Sequence, residues 1–310
     1  MSDAAERHQS SGRWRLGLAL SLVTATLWGS LPVALKSLLS TMSPLTVTWY
    51  RYAISAVLLT AVLRSRRGLP RAATLRGLIP LLAAVTIGFA GNNLLFASGL
   101  HLVGPSAAQV VIQLAPVMLI FGGVLVFHEP FSRAQWVGVA VLLSGMGMFF
   151  HRGLAVAIVS PGVLLIVVAA AFWAVYAMAQ KQLLRTLPSL SALWVAYVSG
   201  TLLLLPAADP GQARGLDAGG WGTLVYCCVN AVVAYGCFGE AMSHWEVSRV
   251  SAVVATTPLF TPVFSELAAR VWPDRVPHEG LDWLQLAGGV LVAGGSVLAA
   301  LARGRVKASD

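Results

Sequence analysis

The chain has 310 residues, of which 57% are apolar and 11% charged, and a mean hydropathy of +0.77. Soluble domains carry about 25% charged residues, so this composition describes a polytopic membrane protein. The formal charge of +9 has no soluble domain on which to form a basic face, which excludes a nucleic-acid partner and leaves the lipid bilayer as the surrounding medium.

A polar N-terminal tail over residues 1–15, which includes His8, precedes ten apolar segments. Each is near the roughly 20 residues that a hydrocarbon core demands. They run over about 16–38, 44–63, 77–100, 106–127, 134–150, 161–184, 189–206, 221–243, 248–270 and 283–302. Lipid offers no partner to backbone N–H and C=O groups, so these spans are helices or breaks shielded inside a bundle, and the alternating ten-residue strands of a barrel are absent from the sequence. Arg13 and Arg15 precede the first span as in a signal peptide, but that span has a sequence twin at 161–184, so it is read as part of the fold.

Taken in order, the first span offers Trp28 and the second Trp49 and Arg51. The third is interrupted by Asn92 and Asn93 and also carries Phe96. Adjacent helical residues point about 100° apart, so at most one Asn faces a given cavity squarely: one is read as a substrate contact, the other as structural. The fourth holds Gln109, Gln113 and Pro116, and the sixth Phe172, Trp173 and Tyr176. The eighth holds Cys227, Cys228, Cys237, Tyr235, Phe238 and Glu240, and the ninth Ser251, Thr256, Thr257, Pro258 and Glu266. Pro116 and Pro258 lie inside spans, where each frees a carbonyl one turn earlier, at Ile112 and Val254, and marks a helix break or hinge. The Gln, Ser and Thr groups beside them line a cavity in one reading and glue helices together in the other. The aromatic residues form an apolar pocket with polar tips, or they pack the core; Trp49 and Trp194 read as interfacial belt residues. Arg51 lies about 10 Å below one face and Glu266 about 6 Å, a depth at which they form an outer gate or a permanent pair, or snorkel separately. Glu240, with Lys181, Arg185 and Arg249 at similar depth, reads as a static inner ion pair. The cysteines are apolar packing residues, with Cys227 and Cys237 about 15 Å apart along the helix, too far for a disulfide or a shared metal.

Orientation follows from the positive charges. With the N-terminus inside, Arg7, Arg13, Arg15, Arg64, Arg66, Arg67, Arg71, Arg76, Arg133, Lys181, Arg185, Arg249, Arg303, Arg305 and Lys307 are cytoplasmic. Only Lys36, Arg152, Arg214, Arg270 and Arg275 fall outside, which leaves Arg51 alone inside a span. This bias places both termini in the cytoplasm.

The two halves are copies. A shift of 145 superimposes Trp28 on Trp173, Lys36 on Lys181, Trp49 on Trp194 and Tyr52 on Tyr197; a shift of 142 superimposes Phe96 on Phe238 and Pro116 on Pro258. A shift of 150 then brings Gln135, Gly138 and Gly145 onto Gln285, Gly288 and Gly295. Copies with an odd number of spans insert upside down relative to each other, the architecture of a carrier with its site at the repeat interface. The expected fold is therefore all-α and integral to the membrane: ten transmembrane helices as two inverted five-helix repeats, at 16–150 and 161–302, around a central cavity. A loop at 151–160 joins them and a cytoplasmic tail covers 303–310.

Trp28-Gly29-Ser30, Pro44 followed by Arg51, Ala115-Pro116, Glu129 and the run from Gln135-Trp136-Val137-Gly138 to Gly145 together resemble the EamA-type family of the drug/metabolite transporter superfamily. The resemblance covers about 16–302 and implies a ten-helix carrier of the bacterial inner membrane, most like exporters of aromatic and other neutral amino acids. Val271 takes the place of Glu129 in the second half, and Ala196 that of Arg51.

The residues support a neutral substrate independently. No carboxylate lies near the midplane for an organic cation, and no pair of Lys or Arg for a phosphate. An uncharged, aromatic, amide-bearing cavity suits a zwitterion. Other neutral metabolites or drugs are the alternative cargo. An intramembrane enzyme is the remote one: His101, His128, His151, His244 and His278 sit at span ends or in loops, and no zinc-protease or serine-hydrolase run occurs. No Walker sequence, metal site, cofactor site or obligate protein partner is evident, and facilitated diffusion and proton exchange both remain open.

Overall fold

The computed structural model describes residues 13–66, 68–127 and 132–301. The chain forms helices α1 (Trp14–Leu38), α2 (Pro44–Ser65), α3 (Ala72–Arg76), α4 (Ile79–Leu102), α5 (Pro105–Val111), α6 (Leu114–Phe127) and α7 (Arg133–Phe149). Then follow α8 (Leu154–Val159), α9 (Pro161–Leu183), α10 (Ser189–Leu204), α11 (Ala218–His244), α12 (Val247–Val254), α13 (Thr257–Val271) and α14 (Trp283–Leu301). Among the described residues there is no strand. Eight segments among the described residues are long and apolar enough to cross a membrane, and a shorter apolar one covers Pro105–Leu119. Between 33% and 44% of the residues in the most apolar window of each of the eight are buried, and residues such as Val57, Leu202, Val263 and Val290 point outward. His128 and Glu129, and the two chain ends, lie outside the described residues.

The helix starts are written locally. Ser43 accepts from the Thr46 N–H at 3.2 Å with Pro44 in the first turn. Gln135 and Gln285, matched by the repeat, do the same work twice. Ser132 and Gln135 form a capping box at α7, and Asp282 and Gln285 exchange the equivalent bonds at 2.8 and 3.1 Å at α14. The Gln285 N–H, with Arg152 and His151 beside it, holds the Asp282 carboxyl below its ordinary value. Lys36 closes α4 by donating from Nζ to the carbonyls of Leu100, His101 and Val103 at 2.8–3.0 Å. Replacing Lys36 with Met is expected to cost about 1–2 kcal/mol after allowance for solvent at this helix end, read as a lower melting temperature in detergent.

The two halves interlock by equivalent crossings. α4 packs on α9 as α1 packs on α11, α6 on α9 as α13 on α1, and α2 pairs with α10 and α7 with α14. The bonds repeat with them. Tyr52 donates to the Phe89 carbonyl at 2.9 Å, and its twin Tyr197 to that of Ala231 at 3.0 Å. Asn92 donates to the Ala169 carbonyl at 2.8 Å where the other half has Thr24 donating to Ala234 at 3.3 Å. At the α7–α14 crossing the glycines of the repeat face each other: a Cβ on Gly145 would lie 2.7 Å from the Gly288 carbonyl, and one on Gly288 the same distance from that of Gly145.

Three expectations change. Trp194 is no belt residue: it reaches inward and donates to Thr60 Oγ1 at 2.7 Å, and Trp49 packs on the same core cluster. Glu240 pairs at 3.1 Å with His244 one turn along its own helix, while Arg249 pairs at 2.8 Å with Glu246, because neighbours three or four residues apart on a helix meet before distant ones do. The fourth and ninth predicted spans are each split in two, α5 from α6 and α12 from α13.

Candidate functional site

Both splits fall one turn before a proline. α5 stops at Val111 and α6 starts at Leu114, upstream of Pro116; α12 stops at Val254 and α13 starts at Thr257, beside Pro258. The carbonyls released there are not left bare. Ala115 N–H donates to Ile112, Thr256 Oγ1 to Val253, and Thr257 Oγ1 to Val254. Gln113 crosses from one break to the other and donates from Nε2 to the Ala255 carbonyl at 2.9 Å. Thr256 and Thr257 thus spend their hydroxyls on backbone and Gln113 its Nε2 on the Ala255 carbonyl and Ser296 Oγ, whereas Gln109 is buried with no side-chain hydrogen bond among the described residues. Asn92 is equally committed, reaching across the seam to the Ala169 carbonyl of α9, whereas Asn93 donates to the Phe89 carbonyl of its own helix and faces Arg51.

The aromatic residues converge at the interface of the halves. Trp28 of α1 meets its repeat twin Trp173 of α9 edge to face at 6.0 Å between ring centres. It also meets Tyr235 at 5.1 Å and Phe238 at 5.5 Å on α11, and Trp173 meets Tyr176 at 5.4 Å. Against Trp173, Tyr176, Tyr235 and Phe238, with Gln180, Ser189 and Met242, toward the end where α9 and α11 finish, lies a cavity of about 20 Å³ that is lined by second-half residues and not by Trp28. That is room for about one water, so this cavity does not supply the central chamber between the halves that the sequence led one to expect. Tyr176 Oη and Asn230 Oδ1 are buried there without a partner among the described residues.

Phe96 does not join the cage. It packs with Leu35 and Leu100 in a separate cluster, because it is the twin of Phe238 and the repeat carries it to the opposite end. A second tier escaped the sequence reading of the site: Phe89 stacks on Tyr52 at 5.1 Å and touches Tyr176 and Tyr235 at 4.8 and 5.5 Å, and Tyr197 closes the group. The Tyr52–Tyr197 repeat match was its available signal.

Arg51 and Glu266 do not meet. Glu266 is exposed and pairs with Arg270 at 2.7 Å and His278 at 3.1 Å, whereas Arg51 is 2% exposed and turned inward, with Nη1 at 3.4 Å from Asn93 Oδ1. One end of the bundle is instead fastened by other groups, which join the first half or the connecting loop to the second half. Glu279 accepts from the Ser106 N–H at 3.0 Å and from its hydroxyl, and Arg152 pairs with Asp282 at 2.8 Å. Gln212 accepts from the Ser43 N–H at 2.8 Å, and Tyr50 donates to the Pro210 carbonyl at 2.9 Å.

Two interlocked copies, each with a proline-marked break, are the arrangement to which one family corresponds over the length of the chain: the EamA-like transporter family matches residues 15–150 and again 160–301. The chain belongs to the EamA-like transporter family. Among its EamA-like relatives, the uncharacterized inner membrane transporter YhbE of Escherichia coli is 37% identical, over 92% of this chain and 91% of the relative. An uncharacterized transporter of Haemophilus influenzae is 38% identical over 92% and 95%. A probable terminal-alkyne amino-acid exporter of Streptantibioticus cattleyicolor is 28% identical over 62% of each chain. A solved crystal structure superimposes with a TM-score of 0.64 over 93% of this chain and 99% of the other at 18% identity, a likeness of fold. The protein is thus a multi-pass membrane transporter of the EamA-like type.

Proposed function

We propose that this transporter exports neutral amino acids, aromatic ones above all, from the cytoplasm across the inner membrane by alternating access. Ten crossings, with α5–α6 and α12–α13 each counted as one, form two inverted five-helix halves with both termini cytoplasmic. The observation that carries the substrate assignment is the cage itself. Twinned tryptophans with Tyr176, Tyr235 and Phe238 give ring-sized apolar contact at the seam, and the carboxylates in ion pairs lie at span ends or in loops. The amino-acid cargo named for the distant Streptantibioticus relative supports the same reading.

The positive-inside orientation makes the fastened end periplasmic and the small cavity cytoplasmic. Loading then requires the rings to part on the inner side, and release requires the Glu279–Ser106 and Arg152–Asp282 contacts to open. The two proline-marked breaks, joined by Gln113, are the points at which α5–α6 and α12–α13 bend between these states.

The test is transport by purified protein in vesicles. Labelled tryptophan, phenylalanine and leucine are expected to cross down their gradients, with tryptophan and phenylalanine preferred. An imposed pH gradient separates facilitated diffusion from proton exchange. Transport of uncharged drugs or metabolites with none of the amino acids moving would replace this reading with a carrier of other neutral compounds.

A further inference from the structure

Arg51 is the one basic residue that the sequence places inside a span away from its ends, and the structure buries it to 2% exposure. Its Nε is buried with no hydrogen-bond partner among the described residues, and its Nη1 has only the long 3.4 Å contact with the neutral Asn93 amide. The groups within reach of its charge are Tyr52 from its own helix, Tyr197 from α10, and Cys227, Cys228 and Tyr235 from α11. None is a carboxylate, and among the described residues no Asp or Glu pairs with it. A guanidinium stays protonated at any physiological pH, and a buried charge needs a partner. The long side chain has not snorkelled to a surface. The structure holds a buried cation with donors to spare.

The repeat sharpens the point. The twin of Arg51 is Ala196 and that of Asn93 is Tyr235, so one side of the seam carries a cation and an amide where the other carries an aromatic ring. Tyr235 contacts Trp28 in the cage, and Asn93 lies one turn from Phe89, whose carbonyl its Nδ2 reaches at 3.1 Å and whose ring touches Tyr235. The site is therefore polarised: rings on the side of the small cavity, guanidinium on the side of the fastened end. A substrate with a ring at one end and an anion at the other matches that axis.

We infer that Arg51, positioned by Asn93, is the subsite for the substrate's carboxylate, with the ring or side chain held in the Trp28–Trp173 cage. The inference rests on the exporter reading and deepens it. The substrate becomes the missing counter-ion, made in the loaded state and lost on release, and a single charged half gives one binding orientation. Arg–carboxylate contacts are planar and two-pronged, so Lys is a partial substitute.

Binding of labelled L-tryptophan to the full-length protein in detergent, competed by unlabelled tryptophan, tryptophan amide and tryptamine, tests it. Wild type is expected to prefer the acid to its amide by at least about tenfold, the scale of one charge-assisted contact. Arg51→Gln is expected to abolish that preference, so that tryptophan and its amide compete equally, and Arg51→Lys to retain part of it. Should Arg51→Gln fail to fold, Asn93→Ala is expected to narrow the acid–amide gap severalfold. A wild-type protein that binds amide and acid equally, or an Arg51→Gln or Asn93→Ala protein that keeps the full preference, overturns the carboxylate subsite and leaves the exporter reading standing. Binding of none of the three compounds would overturn both.

Discussion

Replacing Trp28 with Ala is expected to lower tryptophan export at subsaturating concentration roughly 100-fold while leaving the protein folded. Trp28 contacts three rings of the cage, Trp173, Tyr235 and Phe238, from the other half of the chain. A substrate ring packed on Trp28 loses about 0.5–1.5 kcal/mol of ring contact and at least about 1.5 kcal/mol of apolar burial when the indole is removed, together about 3 kcal/mol at the upper end, which is roughly 100-fold in affinity. Trp28→Phe keeps a ring and is expected to lose only about twofold, at the low end of one such contact. Leucine transport, which uses fewer ring contacts, falls less than tryptophan transport. Equal rates in wild type and Trp28→Ala, with the variant eluting as a monodisperse peak, would reduce the cage to core packing.

The largest effect on stability belongs to a residue far from the cage. A Cβ on Gly145 would lie 2.6 Å from the Val292 backbone nitrogen and 2.7 Å from the Gly288 carbonyl oxygen. Both obstacles are main chain, so no rotamer change relieves them, and α7 and α14 must move apart along their whole crossing. Overpacking of this kind costs about 1–3 kcal/mol even where side chains can yield, and more where backbone opposes backbone. Gly145→Leu is expected to leave little folded protein in detergent. Gly147, two residues along the same helix, has nothing within 4 Å of the position of a Cβ, so Gly147→Leu is expected to melt within a few degrees of wild type. Matching melting curves for the two variants would mean that the close crossing is not what holds the final span of each half together.

Much of the architecture was legible because its signals are local or periodic. The apolar runs announce spans, since lipid forbids any other conformation. The prolines announce their breaks, since a missing N–H acts on the turn just before it. Duplication announces which residues occupy equivalent places. Gln135 and Gln285 were visible as a matched pair, although their capping role required the structure to bring Ser132 and Asp282 beside them.

Polar side chains were harder to read, because their role depends on which partner the fold delivers. From sequence, Asn92 and Asn93 are indistinguishable neighbours. A rotation of about 100° gives the first to the Ala169 carbonyl and the second to Arg51. Gln109 and Gln113 stand one helical turn apart, yet only Gln113 reaches the opposite break. Depth alone made Arg51 and Glu266 look like partners. Glu266 instead found Arg270 one turn along its own helix, and Arg51 turned away from it.

Composition, span length and duplication by themselves determined that this chain is a twofold-repeated membrane carrier, since they rest on the free energy of placing backbone and side chains in lipid. Which residues of the two copies share a pocket was decided only by tertiary packing. Helices that cross at close range select one face of each, and that selection set two tryptophans 145 positions apart in contact and left Arg51 buried with no carboxylate paired to it among the described residues.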